Sequence, residues 1–563
     1  MQRILSFFIL ILIIGLTQSF YGQKLDKDYF ISPLSIPLNL SGTFAELRTN
    51  HFHTGIDIKT GGAIGKTVHA TADGYVSRIK VSPYGYGKAL YIRHPNGFTT
   101  VYAHLDSYNS RIDSFLKAEQ YRIESFAVDY FPEKNLILVK KGEVVGLSGN
   151  SGGSGGPHLH YEIRDAAERP VNPLYSNIKV VDNIKPTIKG IRFYFIINGQ
   201  KGRFLEFNNK SGLACLTLKD TVSLTNNFYV GVNSIDRQSG SNQNGFYDLQ
   251  IYLDSQLVHQ VMADRLDFDE QRYINSYIDY SAFYNQSVRY RTTIVLPGNK
   301  LSIYETNSNN GIFTLTDTAV HKMEIIVRDF AGNETKEIFF VKGSVSPLMP
   351  SITHKPNFFH DKPNFHSIPE ASFTIPSGCL YEDIYFEMKV LQNKYNNYSP
   401  LISVGSPEIP LHCYATLSIK TQNIPDKFRN KAAIASFTKS GSLYYEGGTY
   451  SDGQISVKTR SFGIYLIVID SINPIIKPID VFNGKNITKQ KTISFKITDN
   501  LSGIKSYRGE LNGKWIVGDY DAKNDLILFA LPENLESGEH TFSLKISDEK
   551  SNYSKITYKL KKD

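Results

Sequence analysis

The sequence predicts an all-β protein made of several antiparallel modules in series, and three observations carry that prediction. Tyrosine (35) and phenylalanine (34) are abundant while methionine is scarce (5), a balance that suits pleated, half-buried surfaces. Apolar and polar residues alternate in short runs such as Gly74-Tyr-Val-Ser-Arg-Ile-Lys-Val81, each closed by turn residues, here Pro83-Tyr-Gly-Tyr-Gly87. The chain also repeats itself. Asp236-Arg-Gln-Ser-Gly240 matches Asp499-Asn-Leu-Ser-Gly503, and His321 to Asp329 with Asn333 and Lys336 matches His540 to Asp548 with Asn552 and Lys555. Each repeat ends on an alternating strand, a turn and another strand, the pattern of an immunoglobulin-like β-sandwich.

At 563 residues the chain exceeds one ordinary core. Proline clusters and the repeat divide it into 1–22, 23–180, 181–345, 346–474 and 475–563. The first and last long β segments after residue 180 are read as immunoglobulin-like modules, and 346–474 as a β-rich module between them.

The opening stretch has Arg3 ahead of the apolar run Ile4 to Leu16, then small and polar residues through Ser19 and Gly22. This is the layout of a secretory signal peptide, 1–22, with an apolar run too short for a comfortable membrane span. An uncleaved anchor is the alternative. The expectation is a mature chain without a stable membrane span, exported to the periplasm, cell envelope or exterior. Cys379 and Cys413 fall in one region and can pair in such a compartment, but with Cys215 left over the plainer reading is buried thiols. The net charge of +8 suits an anionic polymer or simply solubility. No clustered basic stripe of the kind nucleic-acid binding needs is present.

Chemistry concentrates near the N-terminal third. His158-Leu159-His160 follows the glycine-rich run Gly149 to Pro157 and precedes Tyr161-Glu-Ile-Arg164. On a strand the two imidazoles share one face, with Leu159, Tyr161 and Ile163 on the other. An HxH alone is as well explained by a solvated pair. Upstream, His53-Thr-Gly-Ile-Asp57 adds an imidazole and a carboxylate. Two imidazoles and a carboxylate make a typical catalytic zinc set with an open fourth position. The glycine-rich run lacks the Lys-Ser/Thr and the following helix of a phosphate loop, and its glycines are read as allowing close backbone approach to an extended substrate. Lys88 to His94 and Phe98 to Leu105 flank Pro95-Asn-Gly97, a hairpin signal, with Tyr102 and His104 expected on one face. His51, His69 and His94 are read as ordinary strand or turn residues. Glu162 and Arg164 are read as a salt-bridged strand or as support behind His160, and Arg48 as a groove residue.

The ordered segments Ser41 to Arg48, Phe52 to Ile58, Val101 to Leu105, Lys141 to Gly149 and Gly156 to Arg164 resemble those of the lysostaphin/LytM-type zinc endopeptidases, metallopeptidase family 23. The resemblance covers about residues 35 to 175. It implies a small, groove-bearing antiparallel β catalytic domain of barrel-sandwich type within 23–180. It implies one Zn2+ per chain held by His53, Asp57 and His160, with His104 and His158 as the non-ligand catalytic pair. It also implies peptidoglycan peptides as substrate. Compared with many relatives, residues 106–134 form an insertion with Ile112, Phe115 and Leu116 at helical spacing, read either as a packed surface excursion or as a short helix and arm along one groove wall. The rival expectations are a non-catalytic wall-binding or hydrolase-activating relative, and a structural envelope protein. The C-terminal β modules are candidate docking sites for an envelope protein partner.

Overall fold

A computed structural model describes residues 25–197, 200–208, 221–238, 242–343, 355–392, 394–395 and 398–563. The leader expected over 1–22 and Cys215 lie outside the described residues. The chain is mostly β, arranged as successive pairs of sheets.

The first pair holds the histidine motifs. A nine-stranded sheet runs in the order Leu40–Gly42, Ile56–Lys59, His158–Arg164, Thr99–Ala103, Lys88–Arg93, Gly74–Val81 and Val128–Tyr130, with two short strands off that path. It is an open sheet. A three-stranded sheet, Thr67–His69, Val144–Ser148 and Leu105–Tyr108, accompanies it. Ile56, Ile58, Leu159, Tyr161 and Ile163 all fall in the core of this unit, as strand alternation predicts. The hairpin at Pro95-Asn-Gly97 forms, with Leu90 opposite Tyr102 and Ile92 opposite Thr100.

The insertion follows the packed-excursion reading rather than the groove-wall one. It does contain a helix, Ser110–Ile123, capped by the Asn109 side chain, which accepts from the Ile112 N–H at 2.9 Å. Ile112 and Leu116 bury against the core of the sheet unit. The following strand Val128–Tyr130 pairs with Gly74–Val81, at the edge of the sheet opposite Leu40–Gly42 and its neighbour Ile56–Lys59. The insertion therefore does not wall the histidine side. Its helix end meets the last β unit instead, where Tyr121 packs edge-on to Trp515 at 5.1 Å and Glu124 pairs with Arg508 at 2.6 Å.

Three further sheet pairs follow, each around its own apolar cluster. The first and last of these share an unusual detail. Val222–Leu224 runs parallel to Glu334–Gly343, and Lys485–Asn486 runs parallel to Tyr553–Lys562, so the sequence repeat is also a topological one. In the middle pair Cys379 and Cys413 are joined as a disulfide with Cα atoms 4.9 Å apart, against the reading of free thiols. Two residues 34 apart in sequence end in adjacent loops, which linear spacing does not reveal.

The histidine-bearing unit is not free of its neighbour. Phe44, Ala45, Leu47 and Phe52 share one apolar cluster with Val261, Leu266, Ile274, Tyr277 and Ile303 of the next unit. The Thr43 hydroxyl donates to the Gly245 carbonyl and accepts from the Gly245 N–H, both at 3.1 Å.

Candidate metal centre

Asp57 and His160 sit directly opposite each other on paired strands, and His158 lies opposite Lys59. His53 arrives from the loop before the Ile56–Lys59 strand. Together His53 Nε2, Asp57 Oδ1 and His160 Nδ1 form a tight triangle. His53 Nε2 is 3.0 Å from both Asp57 Oδ1 and His160 Nδ1, and His160 Nδ1 is 2.9 Å from Asp57 Oδ1. All three residues are buried.

The outward-facing nitrogens fix the tautomers. His53 Nδ1 lies 2.8 Å from the Thr43 carbonyl, which can only accept, so Nδ1 carries the hydrogen and Nε2 presents its lone pair inward. His160 Nε2 donates to Glu162 Oε1 at 2.9 Å, freeing Nδ1 in the same way. His104 Nδ1 donates to the Ser151 carbonyl at 2.9 Å, and His158 Nδ1 to the Gly156 carbonyl at 2.8 Å. His158 Nε2 then faces Asp57 Oδ1 at 3.4 Å. Four imidazole lone pairs and a carboxylate thus converge with no donor among them. Such a set fits a divalent cation, or failing that a proton.

The electrostatics say the same. Burial opposes charge on Asp57, yet the three imidazoles around it hold its carboxyl well below the usual carboxylate range. Burial also opposes a proton on His160, but hydrogen bonds to Asp57 and Glu162 outweigh it and push the imidazole up to about 9. Burial, with His160 and His158 nearby, pulls His104 down to about 3. Glu162 is fully buried and lowered, since Arg164 and His160 overcome its desolvation.

His104 reaches this site against the strand pattern. Tyr102 pairs with Tyr161 across the strands, both in the core, and simple alternation would send His104 to that side. Its backbone instead takes φ 58°, the left-handed region that non-glycine residues rarely adopt. The ring swings to within 4.7 Å of His158. A costly backbone state at this residue is a mark of function, and only the structure displays it.

Two support residues, Thr54 and Tyr86, escaped the sequence. Glu162 Oε1 also accepts from Thr54 at 2.5 Å and from the Tyr86 hydroxyl, while its other oxygen holds Arg164 at 2.6 Å and 2.7 Å. Both sequence readings of Glu162 and Arg164 therefore apply at once. Arg48, read from the sequence as a groove residue, bonds Asp57 Oδ2 through its Nη2 at 3.0 Å. A side chain at Gly42 would strike that pair at 2.5 Å. Thr43 and Tyr86 lay in quoted segments, but nothing in their spacing marks them. The glycine-rich run serves the fold more than expected. Gly152, at φ 69°, lets the run press on the Tyr84–Gly87 turn, where a Cβ would meet the Gly87 nitrogen at 2.3 Å. Only Gly155 and Gly156 border open space. His51, His69 and His94 bond to backbone carbonyls of Thr49, Gly142 and Asp73, outside the triangle.

Residues 51–121 match peptidase family M23, a span that includes His53, Asp57 and His104. The chain carries an M23 peptidase domain. The DD-carboxypeptidase/endopeptidase Mpg of Neisseria meningitidis is 39% identical over 128 residues, 23% of this chain and 23% of that one. The peptidoglycan DD-endopeptidase ShyA of Vibrio cholerae is 33% identical over 175 residues, 29% of this chain and 33% of its own. The match thus spans a third or less of these relatives. Among solved structures, the catalytic domain of the M23 protein EnpA from Enterococcus faecalis aligns at 25% identity over 26% of this chain and 95% of that one, with a TM-score of 0.20. Outside the M23 domain, residues 355–470 match a Zu5-like domain. No helix among the described residues is long and apolar enough to cross a membrane.

Proposed function

We propose that the protein is an exported zinc endopeptidase that hydrolyses peptide bonds in peptidoglycan cross-links or stems. The observation that carries this is the convergence of His53 Nε2, Asp57 Oδ1 and His160 Nδ1, with the imidazoles of His104 and His158 beside them. His53, Asp57 and His160 would hold the metal, Asp57 through one oxygen because Arg48 engages the other. Zinc bound there supplies Lewis acidity, polarising a scissile carbonyl and making water acidic enough to attack at neutral pH. The chain's own work is proton handling. His104 and His158 each anchor Nδ1–H on a carbonyl and offer Nε2 toward the site, so either can take a proton from the attacking water and pass it to the departing amine. Thr43 and Glu162 keep the ligand rings in the required tautomer. The peptidoglycan substrate and the periplasmic or envelope location rest on the names and activity of the M23 relatives, and export on the leader expected over 1–22.

The test is digestion of defined cross-linked muropeptides by the purified, zinc-loaded chain, with mass spectrometry to locate the new amine. Cleavage that chelation abolishes and zinc restores is expected. No cleavage by a folded, metal-loaded chain would assign it to binding instead.

A further inference from the structure

Two clusters of carboxylates, each with two buried aspartates and one half-buried, lie far from the M23 site, and they are the same cluster built twice. One joins Asp182, Asp236 and Asp329, the other Asp470, Asp499 and Asp548, each offering three oxygens within 4.8 Å of one another. The first aspartate of each lies in the segment entering a β unit, in the matching stretches Val180-Val-Asp-Asn-Ile-Lys-Pro186 and Val468-Ile-Asp-Ser-Ile-Asn-Pro474. The second directly follows the strands Asn227–Ile235 and Thr492–Thr498. The third closes the strands Val320–Arg328 and Gly538–Asp548. The surrounding bonds repeat as well. Asn333 Nδ2 donates to the Asp182 carbonyl at 3.2 Å, and Asn552 Nδ2 to the Asp470 carbonyl at 3.0 Å. Thr335 donates to the Pro186 carbonyl and Ser554 to the Pro474 carbonyl, both at 2.5 Å.

Hydrogen bonds within the clusters leave particular oxygens over. Asp236 Oδ1 and Asp470 Oδ1 are buried without a hydrogen-bond partner, in residues only 2% and 1% exposed. Asp499 Oδ1 is likewise unpartnered, and so is the Gln238 carbonyl oxygen, which borders the same cavity as Asp182 and Asp236. Among the described residues no basic side chain forms an ion pair with any of the six aspartates. Lys550 feels the charges of Asp470 and Asp548 but gives its hydrogen bonds to the carbonyls of Ala432 and Gly448. Burial and the neighbouring Asp182 and Asp329 push Asp236 up to about 7. Buried acceptors without donors are costly, and here the cost recurs at two equivalent places. An oxygen-only set of carboxylates suits a hard cation, and calcium, which binds oxygen in flexible geometry, tolerates such a set better than magnesium, which demands a near-ideal octahedron.

We propose that the two triads are calcium sites, one at each of two junctions, Asp182/Asp236/Asp329 behind the M23 domain and Asp470/Asp499/Asp548 ahead of the last β unit. Each ion ties the chain entering a β unit to two loops of that unit and so stiffens the junction.

The experiment uses the full chain, stripped of metal and resupplied with one equivalent of zinc so that the M23 site is filled. Calcium chloride is titrated in by calorimetry and by equilibrium dialysis, with thermal melting alongside. Two equivalents and a raised melting temperature are expected at submillimolar to millimolar calcium, the range of extracellular modules. Asp236→Asn and Asp470→Asn should each remove one equivalent. Because each isosteric change deletes one of three like charges, both variants should melt no lower than wild type when metal-free. The proposal is overturned by the absence of saturable binding up to ~10 mM calcium, or by binding that survives both substitutions. Loss of several degrees in the metal-free variants also overturns it, since the carboxylates would then be structural. If magnesium matches calcium in stoichiometry and affinity, the assignment to calcium fails. One equivalent sensitive to only one substitution upholds that junction and overturns the other.

Discussion

Replacing Glu162 by glutamine probes how much of the metal centre lies behind its ligands. The carboxylate is fully buried and accepts from His160, Thr54, Tyr86 and Arg164. Glutamine keeps the shape but removes the charge, leaving Arg164, 7% exposed, without its buried partner. Breaking a buried pair in this way costs about 3–5 kcal/mol. The lower end applies, because Arg164 also packs over the rings of Tyr91 and Phe268 and lies 3.8 Å from Glu168. The weaker acceptor also holds His160 Nε2–H less firmly, so Nδ1 is less reliably free for metal. Loss of such a support typically weakens metal affinity by about 10–100-fold. Urea unfolding of the zinc-free protein measures the first effect, and zinc competition against a chromophoric chelator measures the second. A variant within about 1 kcal/mol of wild type with unchanged zinc affinity would refute the reasoning, since buried-pair loss cannot be that small.

Further outcomes follow from the same geometry. His160→Ala should abolish zinc binding while His158→Ala keeps zinc and loses most turnover, as elemental analysis and muropeptide digestion would register. His94 is buried and held down to about 4, chiefly by desolvation against its bond to the Asp73 carbonyl. Its folded pKa lies below the unfolded value, so its contribution is complete above pH ~6.5 and disappears as pH falls towards 4, about 3 kcal/mol in all. His94→Gln should flatten that part of the stability–pH curve by one proton's worth. Phe52→Ala should cost about 3–5 kcal/mol by thermal melting, because Phe52 is 1% exposed in the cluster shared with the neighbouring unit. A double-mutant cycle on Tyr121 and Trp515 should give a coupling of about 0.5–1.5 kcal/mol, and zero coupling would remove the insertion's docking role.

The strand bearing His158 and His160 was legible because alternation is local, and Leu159, Tyr161 and Ile163 pack as their period demands. The hairpin at Pro95-Asn-Gly97 was legible for the same reason, its turn chemistry being written in three residues. The face of His104 was misread because a left-handed φ overrides alternation and leaves no trace in composition, though the family resemblance already paired it with His158. Thr43, Tyr86 and the second role of Arg48 were missed because they act across folded distance. The insertion's helix showed in the spacing of Ile112, Phe115 and Leu116, but which sheet edge receives it depends on Val128–Tyr130 pairing. The repeat around Asp236 and Asp499 was visible as a pattern. Its convergence with Asp182 and Asp470 needed three dimensions.

The apolar cluster behind Phe44, Leu47 and Phe52 bears on how such a chain can be rearranged. The loop that supplies the Thr43 carbonyl to His53 is floored by side chains of the following unit and latched to Gly245. Cutting the chain after the M23 domain would uncover aromatic surface and loosen that loop in the same stroke. The domain is therefore no interchangeable cassette, and recombination that grafts it onto a new tail must carry the Val261–Ile303 floor along with it.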